Sequence, residues 1–362
     1  MSDALLLIAG CLNRDAPYLQ GARGRGIAVF AFDDATGQGE LLSETDDIDN
    51  PTYLGLSADG DSLFATSEVF NRRESTVSAY GLDRTSGRLT YRNMQPTLGS
   101  IAAHTTVAAD GRHLLVANYA MGEGGPDKSV AVLPVLADGT LGTAVASVAH
   151  TGRGPNAQRQ ERPHAHCVKQ AGDVVLVADL GIDRVLAYRL ARDGGLTRLG
   201  ETPVAAGAGP RHVTASPDGA LVFVVNELNS TVQSFRHDGA GGLTMVSTCP
   251  ALPEGWRDSY CAAIHLSPDL RHLYVSNRGH DSLAIFAVDP ATGGLTARGH
   301  VASGGATPRS FAITPSGRHV LVANQNSDEI VVFRRDGESG ALQQTGGRLK
   351  VGTPMIVEVI TR

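Results

Sequence analysis

Six segments of this 362-residue chain are copies of one template, and no other feature restricts its fold so tightly. They read NPTYLGLSADGDSLFATSE, IAAHTTVAADGRHLLVANY, RPHAHCVKQAGDVVLVADL, GPRHVTASPDGALVFVVNE, YCAAIHLSPDLRHLYVSNR and TPRSFAITPSGRHVLVANQ. They end at Glu68, Tyr119, Leu180, Glu227, Arg278 and Gln325, at intervals of 51, 61, 47, 51 and 47 residues. That period is the length of a four-stranded β-propeller blade. Each copy is an apolar run rich in β-branched residues, a turn of the Ser-Pro-Asp-Gly kind and a second apolar run, the pattern of a hairpin. Two weaker strands follow, as in STVQSF and GGLTMVST, with turns such as Asp193-Gly194 and Asp238-Gly239.

A seventh copy is split. GTPMIVEVI at the C-terminus matches only a first strand, while ALLLIAG, GIAVFAFDD and GELLSETD at the N-terminus supply the other three. The expected fold is therefore all-β: a seven-bladed propeller of four-stranded blades whose ring closes where N- and C-terminal strands share one blade. Such closure removes the open sheet edges that invite aggregation. With 43 Gly, 42% hydrophobic residues and no linker-like stretch, residues 1–362 read as one β-propeller domain.

Composition narrows the partners. Net charge is −6 and no long basic tract is present, which argues against nucleic acid. The opening MSDALLLIAG carries Asp3 where a signal peptide would be basic, and its apolar run is too short to span a bilayer. Cys11, Cys167, Cys249 and Cys261 lie far apart without metal-ligand spacing, so neither a structural zinc nor a disulfide framework is expected. The sequence reads as cytoplasmic, free of cofactor and metal, with no membrane partner, and as a monomer or weak homo-oligomer.

The repeat register also locates a site. In each hairpin the residue opening the first strand and the residue closing the second stand 16 apart: Thr52/Glu68, Ala103/Tyr119, His164/Leu180, Arg211/Glu227, Ala262/Arg278 and Arg309/Gln325. Their midpoints fall in or beside the turns. Antiparallel pairing then sends both members to the far end of the hairpin, and the innermost strands line the central channel. His164, Arg211, Glu227, Arg278, Arg309, Gln325, Glu68 and Tyr119 should ring one mouth, with His104 one residue off register. Polar groups crowded in a narrow funnel suit a small ligand and perturbed pKa values. Arg211 and Glu227 also fit a plain ion pair, and His164 a buried structural histidine. Three arginines near one axis, however, repel unless carboxylates or an anionic ligand offset them. Asn118, Asn226, Asn277 and Asn324, one residue before the ring, read as strand-end hydrogen-bonding residues.

The runs GPRHVTASPDG, VVNELNSTV, LYVSNRGHDSLAIF and TPRSFAITPSGRHVLVANQNSDEIVVF, with the P-R-H, N-E-L and N-R motifs in this order, resemble the seven-bladed propeller lactonases. That family includes bacterial 6-phosphogluconolactonases of the propeller type and fungal carboxymuconate-cyclising enzymes, and the resemblance covers nearly the whole chain. It implies a site of one histidine, two arginines and one glutamate, which fall here on His164, Arg211, Glu227 and Arg278. Arg309, Gln325 and His104 match further positions, and His166 competes with His164.

Opening a lactone needs a base to activate water, donors for the oxyanion and a proton for the departing alkoxide. On this reading Glu227 is the base and His164 the acid, or His164 is the base if Glu227 only orients it. Arg211 and Arg278 would stabilise the oxyanion and grip a carboxylate or phosphate. Arg309, Gln325, His104, Tyr119 and Glu68 complete the binding surface for a small anionic lactone or sugar acid, 6-phosphogluconolactone-like. Cyclisation of a carboxymuconate and a non-enzymatic interaction scaffold stand as alternatives, the latter weakened by a single Trp and no repeated Trp-Asp dipeptide. The long connection at residues 250–260 should bring that one Trp, Trp256, to the funnel or to a groove beside it.

Overall fold

The computed structural model describes residues 4–121 and 124–362. Their strands form seven four-stranded antiparallel sheets. Blades 1 to 6 begin with the inner strands Pro51–Leu56, Ala102–Val107, Ala165–Ala171, Pro210–Ala215, Tyr260–Leu266 and Pro308–Ile313. Blade 7 is the composite, in which Pro354–Thr361 is innermost and pairs with Ala4–Cys11, followed outward by Gly26–Asp33 and Gln38–Thr45. Each inner strand touches the inner strands of both neighbouring blades, and Pro354–Thr361 bridges blades 6 and 1.

The core lies between blades. Leu5, Leu7 and Ala9 of blade 7 pack on Leu321, Ala323 and Val332 of blade 6, while Leu176 and Ala178 of blade 3 pack on Val222 and Val224 of blade 4. Because both faces of each sheet are covered, the second strands read as unbroken apolar runs: Leu221–Asn226 is buried at nearly every position. Outermost strands face solvent and are polar, as in Gln38–Thr45. The four asparagines behave as strand-end clamps; Asn277 Nδ2 donates to Ala251 O at 2.7 Å and Asn118 Nδ2 to Thr97 O at 2.8 Å.

A β-bulge at the start of each inner strand fixes what reaches the channel. In blade 4, Pro210 pairs with Asn226 and His212 with Val225, leaving Arg211 as the extra residue. Ala103, Arg309 and Met355 hold the same place in blades 2, 6 and 7. A bulged residue leaves the ladder and re-aims its side chain, here toward the axis.

Blade 3 departs from the expected register. Ala165 pairs with Asp179, 14 positions on, whereas Pro210 pairs with Asn226, 16 positions on. The cause is a tighter turn, since Ala171 pairs directly with Val174 around Gly172 and Asp173. The blade 3 residue equivalent to Arg211 is therefore His166, and His164 stands just before the ladder.

Candidate active site

A cavity of about 720 Å³ opens at the expected mouth, and Glu68, Tyr119, His164, His166, Glu227, Arg278, Arg309 and Gln325 line it. Two of the expected residues are not in its wall. Arg211 lies beneath the floor, in a narrow throat lined also by Tyr53, His166, His212 and His265. His104 follows the bulged Ala103, so strand alternation turns it away from the funnel. Its ring lies on Tyr53, with centroids 3.9 Å apart, and meets His212 edge-on at 5.6 Å.

Glu227 is the hub. It follows the last residue of Leu221–Asn226, and its N–H donates to Gly209 O at 2.7 Å. Its Oε2 accepts from Arg211 Nε at 2.9 Å and lies 3.0 Å from Arg278 Nη2, while Oε1 accepts from Arg159 Nη2 at 2.5 Å. Burial pushes this carboxyl up, but Arg278, Arg211 and Arg159 together outweigh burial and hold it well below the usual carboxylate range. A carboxylate so stabilised is a weaker proton acceptor, which bears on the expectation that Glu227 activates water. Burial, followed by repulsion from Arg278, brings Arg211 down to about 9 despite Glu227.

Arg159 escaped the repeat reading because it belongs to no repeat. It sits in the connection between blades 2 and 3, which together with the long link from Asn118 to Val130 makes up the longest interval, 61 residues. That extra length was the available signal. The same connection supplies Glu161 and His164. Another insertion, between Cys11 and Gly26 in blade 7, supplies Tyr18, whose hydroxyl donates to Glu68 Oε1 at 2.7 Å.

His164 is held from several sides. Its N–H donates to the buried Asp179 Oδ1 at 2.7 Å, its Nδ1 lies 2.6 Å from Tyr119 O, and its ring stacks on Tyr119 with centroids 4.2 Å apart. A carbonyl only accepts, so Nδ1 carries a proton, and Nε2 lies against the Glu161 carboxylate at the funnel wall, 3.1 Å from Oε1. Gly181 makes this placement possible: a Cβ there would meet Arg162 O at 1.9 Å and His164 N at 2.7 Å. His166 meets Tyr119 edge-on and points to the throat, where burial and Arg211 keep it neutral, well below the ordinary histidine pKa.

Arg309 differs from the other arginines. Its guanidinium lies over the Tyr18 ring, 5.0 Å from the centroid, and has no hydrogen-bond or ion-pair partner among the described residues. Three buried polar atoms of funnel-lining residues lack partners: His166 Nδ1, Arg278 Nε and Gln325 Oε1. Unsatisfied buried groups beside a cavity favour a polar ligand that completes them. Among the described residues no three His, Cys, Asp or Glu side chains stand together as metal ligands. No helix among them is long and apolar enough to cross a membrane. All four cysteines are free thiols. Trp256 falls beside the funnel, in a recess that shares Leu228 and Arg257 with it.

Comparison with known proteins agrees with this geometry. The family described as "Lactonase, 7-bladed beta-propeller" matches residues 7–359. A 6-phosphogluconolactonase of Bacillus subtilis (strain 168) is 35% identical over 296 residues, covering 80% of this chain and 82% of that protein. One of Formosa agariphila is 34% identical over 299 residues, again covering 80% and 82%. The solved structure of a periplasmic gluconolactonase of Pseudomonas aeruginosa superposes with a TM-score of 0.89 at 35% identity, covering 99% of each chain.

Proposed function

This chain belongs to the seven-bladed β-propeller lactonase family, and from that premise we propose that it hydrolyses a small anionic sugar-acid lactone, 6-phosphogluconolactone-like, in the central funnel. The observation that carries this reading is the pairing of a tautomer-fixed histidine with an arginine cluster in one cavity. His164 Nε2 accepts a proton from water as the water oxygen attacks the lactone carbonyl carbon. Glu161, which faces the same nitrogen, orients the ring. Arg278 and Arg159, whose side chains line the cavity, stabilise the oxyanion of the tetrahedral intermediate. When the ring C–O bond breaks, His164 returns its proton to the departing alkoxide, leaving a hydroxy acid.

Glu227 in this scheme positions the arginines, and Arg211 holds Glu227 from below. Arg309 meets the phosphate or carboxylate of the substrate, a contact that a planar guanidinium without a protein partner is well shaped to make. The four free thiols suit a reducing setting, so we place the enzyme in the cytoplasm, which fractionation of the source cells tests.

The deciding experiment is hydrolysis by the purified protein of 6-phosphogluconolactone, unphosphorylated sugar lactones and a carboxymuconate. Faster opening of the phosphorylated lactone than of its neutral counterpart is expected. Cyclisation of the carboxymuconate with no lactone opened would overturn the hydrolase reading.

A further inference from the structure

Beside the funnel lies a second recess of about 320 Å³, lined by Leu228, Asn229, Ser230, Leu252, Gly255, Trp256 and Arg257. Its floor is the segment that follows Glu227 in the chain, so its position relative to the acid–arginine cluster is set by covalent connection. Its wall is the 251–259 loop, and that loop is fastened: Ser230 Oγ donates to Ser259 O at 3.0 Å, Ser259 Oγ to Arg278 O at 2.8 Å, and Trp256 N to Pro253 O at 3.2 Å. Trp256 meets His280 edge-on, with centroids 4.7 Å apart, yet remains 48% exposed. Leu228 and Arg257 belong to the walls of both cavities.

Charge separates the two compartments. The funnel holds Arg159, Arg278 and Arg309 with Glu68, Glu161 and Glu227, whereas Arg257 is the single charged residue in the wall of the recess. An indole face flanked by amide, hydroxyl and backbone groups suits a neutral, hydroxyl-rich ring, which offers C–H surface to the aromatic and O–H groups to its neighbours. The volume is at the small end of ligand cavities, enough for one such ring.

We propose that this recess is a second sugar subsite, which extends the substrates of the funnel to lactones of disaccharide acids, with the lactone ring in the funnel and the attached pyranose against Trp256. This rests on the lactonase reading for the chemistry, but binding at the recess is separable from it. Trp256 is the only Trp of the chain, so its fluorescence reports the subsite directly.

The test titrates the protein with lactobionate, an open disaccharide acid, and with gluconate, its monosaccharide counterpart, while following emission. Saturable change with lactobionate and none with gluconate is expected; equal responses, or none to either, would overturn the subsite. In parallel, hydrolysis of lactobionolactone and gluconolactone is compared in the parent and in Trp256→Ala. The substitution should lower kcat/KM for the disaccharide lactone roughly tenfold, as loss of one aromatic contact implies, and leave the monosaccharide lactone within about twofold. Trp256→Phe should recover most of the loss. Equal losses on both lactones in a folded variant would reject the proposal. If neither of these neutral lactones is opened by the parent protein, the emission titration alone decides the subsite, and the hydrolase reading is decided by 6-phosphogluconolactone.

Discussion

Half of the candidate site comes from the blades and half from a connection between them, and the two halves are built differently. Arg211, Glu227 and Arg278 stand on blades 4 and 5 at repeat positions; Arg211 and Glu227 are buried, Arg278 is half-buried, and both arginines pair with Glu227. Arg159, Glu161 and His164 stand on the segment between blades 2 and 3; Arg159 and Glu161 are partly or well exposed, and His164 alone is buried. The blade-borne half has no proton to exchange near neutrality, because Glu227 is locked as an anion by three cations. The loop-borne half holds a histidine whose Nε2 meets Glu161 at the cavity wall. On the proposed mechanism, rigid repeats supply fixed charge and the insertion the acid–base chemistry, as expected when a scaffold carries loops that vary independently of it.

The most severe test of that division is His164→Ala, which should lower kcat by roughly 10³-fold with a near-normal melting temperature, the range of a lost general base. Retained turnover in the folded variant would return the proton chemistry to the blade-borne half. Next in size is Glu227→Gln. Its removal leaves Arg211 and Arg278 buried without their anion, so thermal or denaturant unfolding should show a loss of about 3 kcal/mol. A variant that melts like the parent yet loses turnover with KM unchanged would instead restore Glu227 as the base.

Arg309→Ala should raise KM for a phosphorylated lactone roughly tenfold or more and leave a neutral lactone nearly unaffected, because only the former loses a charge-assisted contact. Equal effects on both would make Arg309 part of the scaffold half.

The smallest effect concerns a control outside both halves, Glu358 on the inner strand of blade 7. Burial pushes its carboxyl up from 4.5 to about 7. The folded state therefore favours the neutral acid: that contribution is whole below 4.5, where the unfolded chain is also protonated, and is lost as pH rises through about 7. Glu358→Gln keeps a neutral group, so at pH 8 it should exceed the parent in stability by about 1 kcal/mol, a value held down by the partial exposure of the side chain, with little difference at pH 4. Paired melting curves at the two pH values check the sign, and a gain confined to low pH would refute it.

The sequence by itself determined the ring. Six regular copies and a split seventh leave few alternatives to a closed seven-bladed propeller, since each hairpin buries its apolar runs only against a neighbour. It also determined that Glu227, Arg278 and Arg309 would meet at one mouth, because register in a repeated hairpin is a local property of strand pairing and turn length. Where turn length changed, the inference slipped: the two-residue turn at Gly172 and Asp173 shifted blade 3, so that His166, not His164, took the position equivalent to Arg211. Tertiary structure alone brought Arg159 to Glu227 across 68 residues of sequence and Tyr18 to Glu68 across 50. Neither lies in a repeat, so no period points to it. Tertiary structure also sets the basicity of Glu227, because a carboxylate's basicity depends on how many cations are gathered round it in a low-dielectric space, and that gathering exists only once the ring has closed.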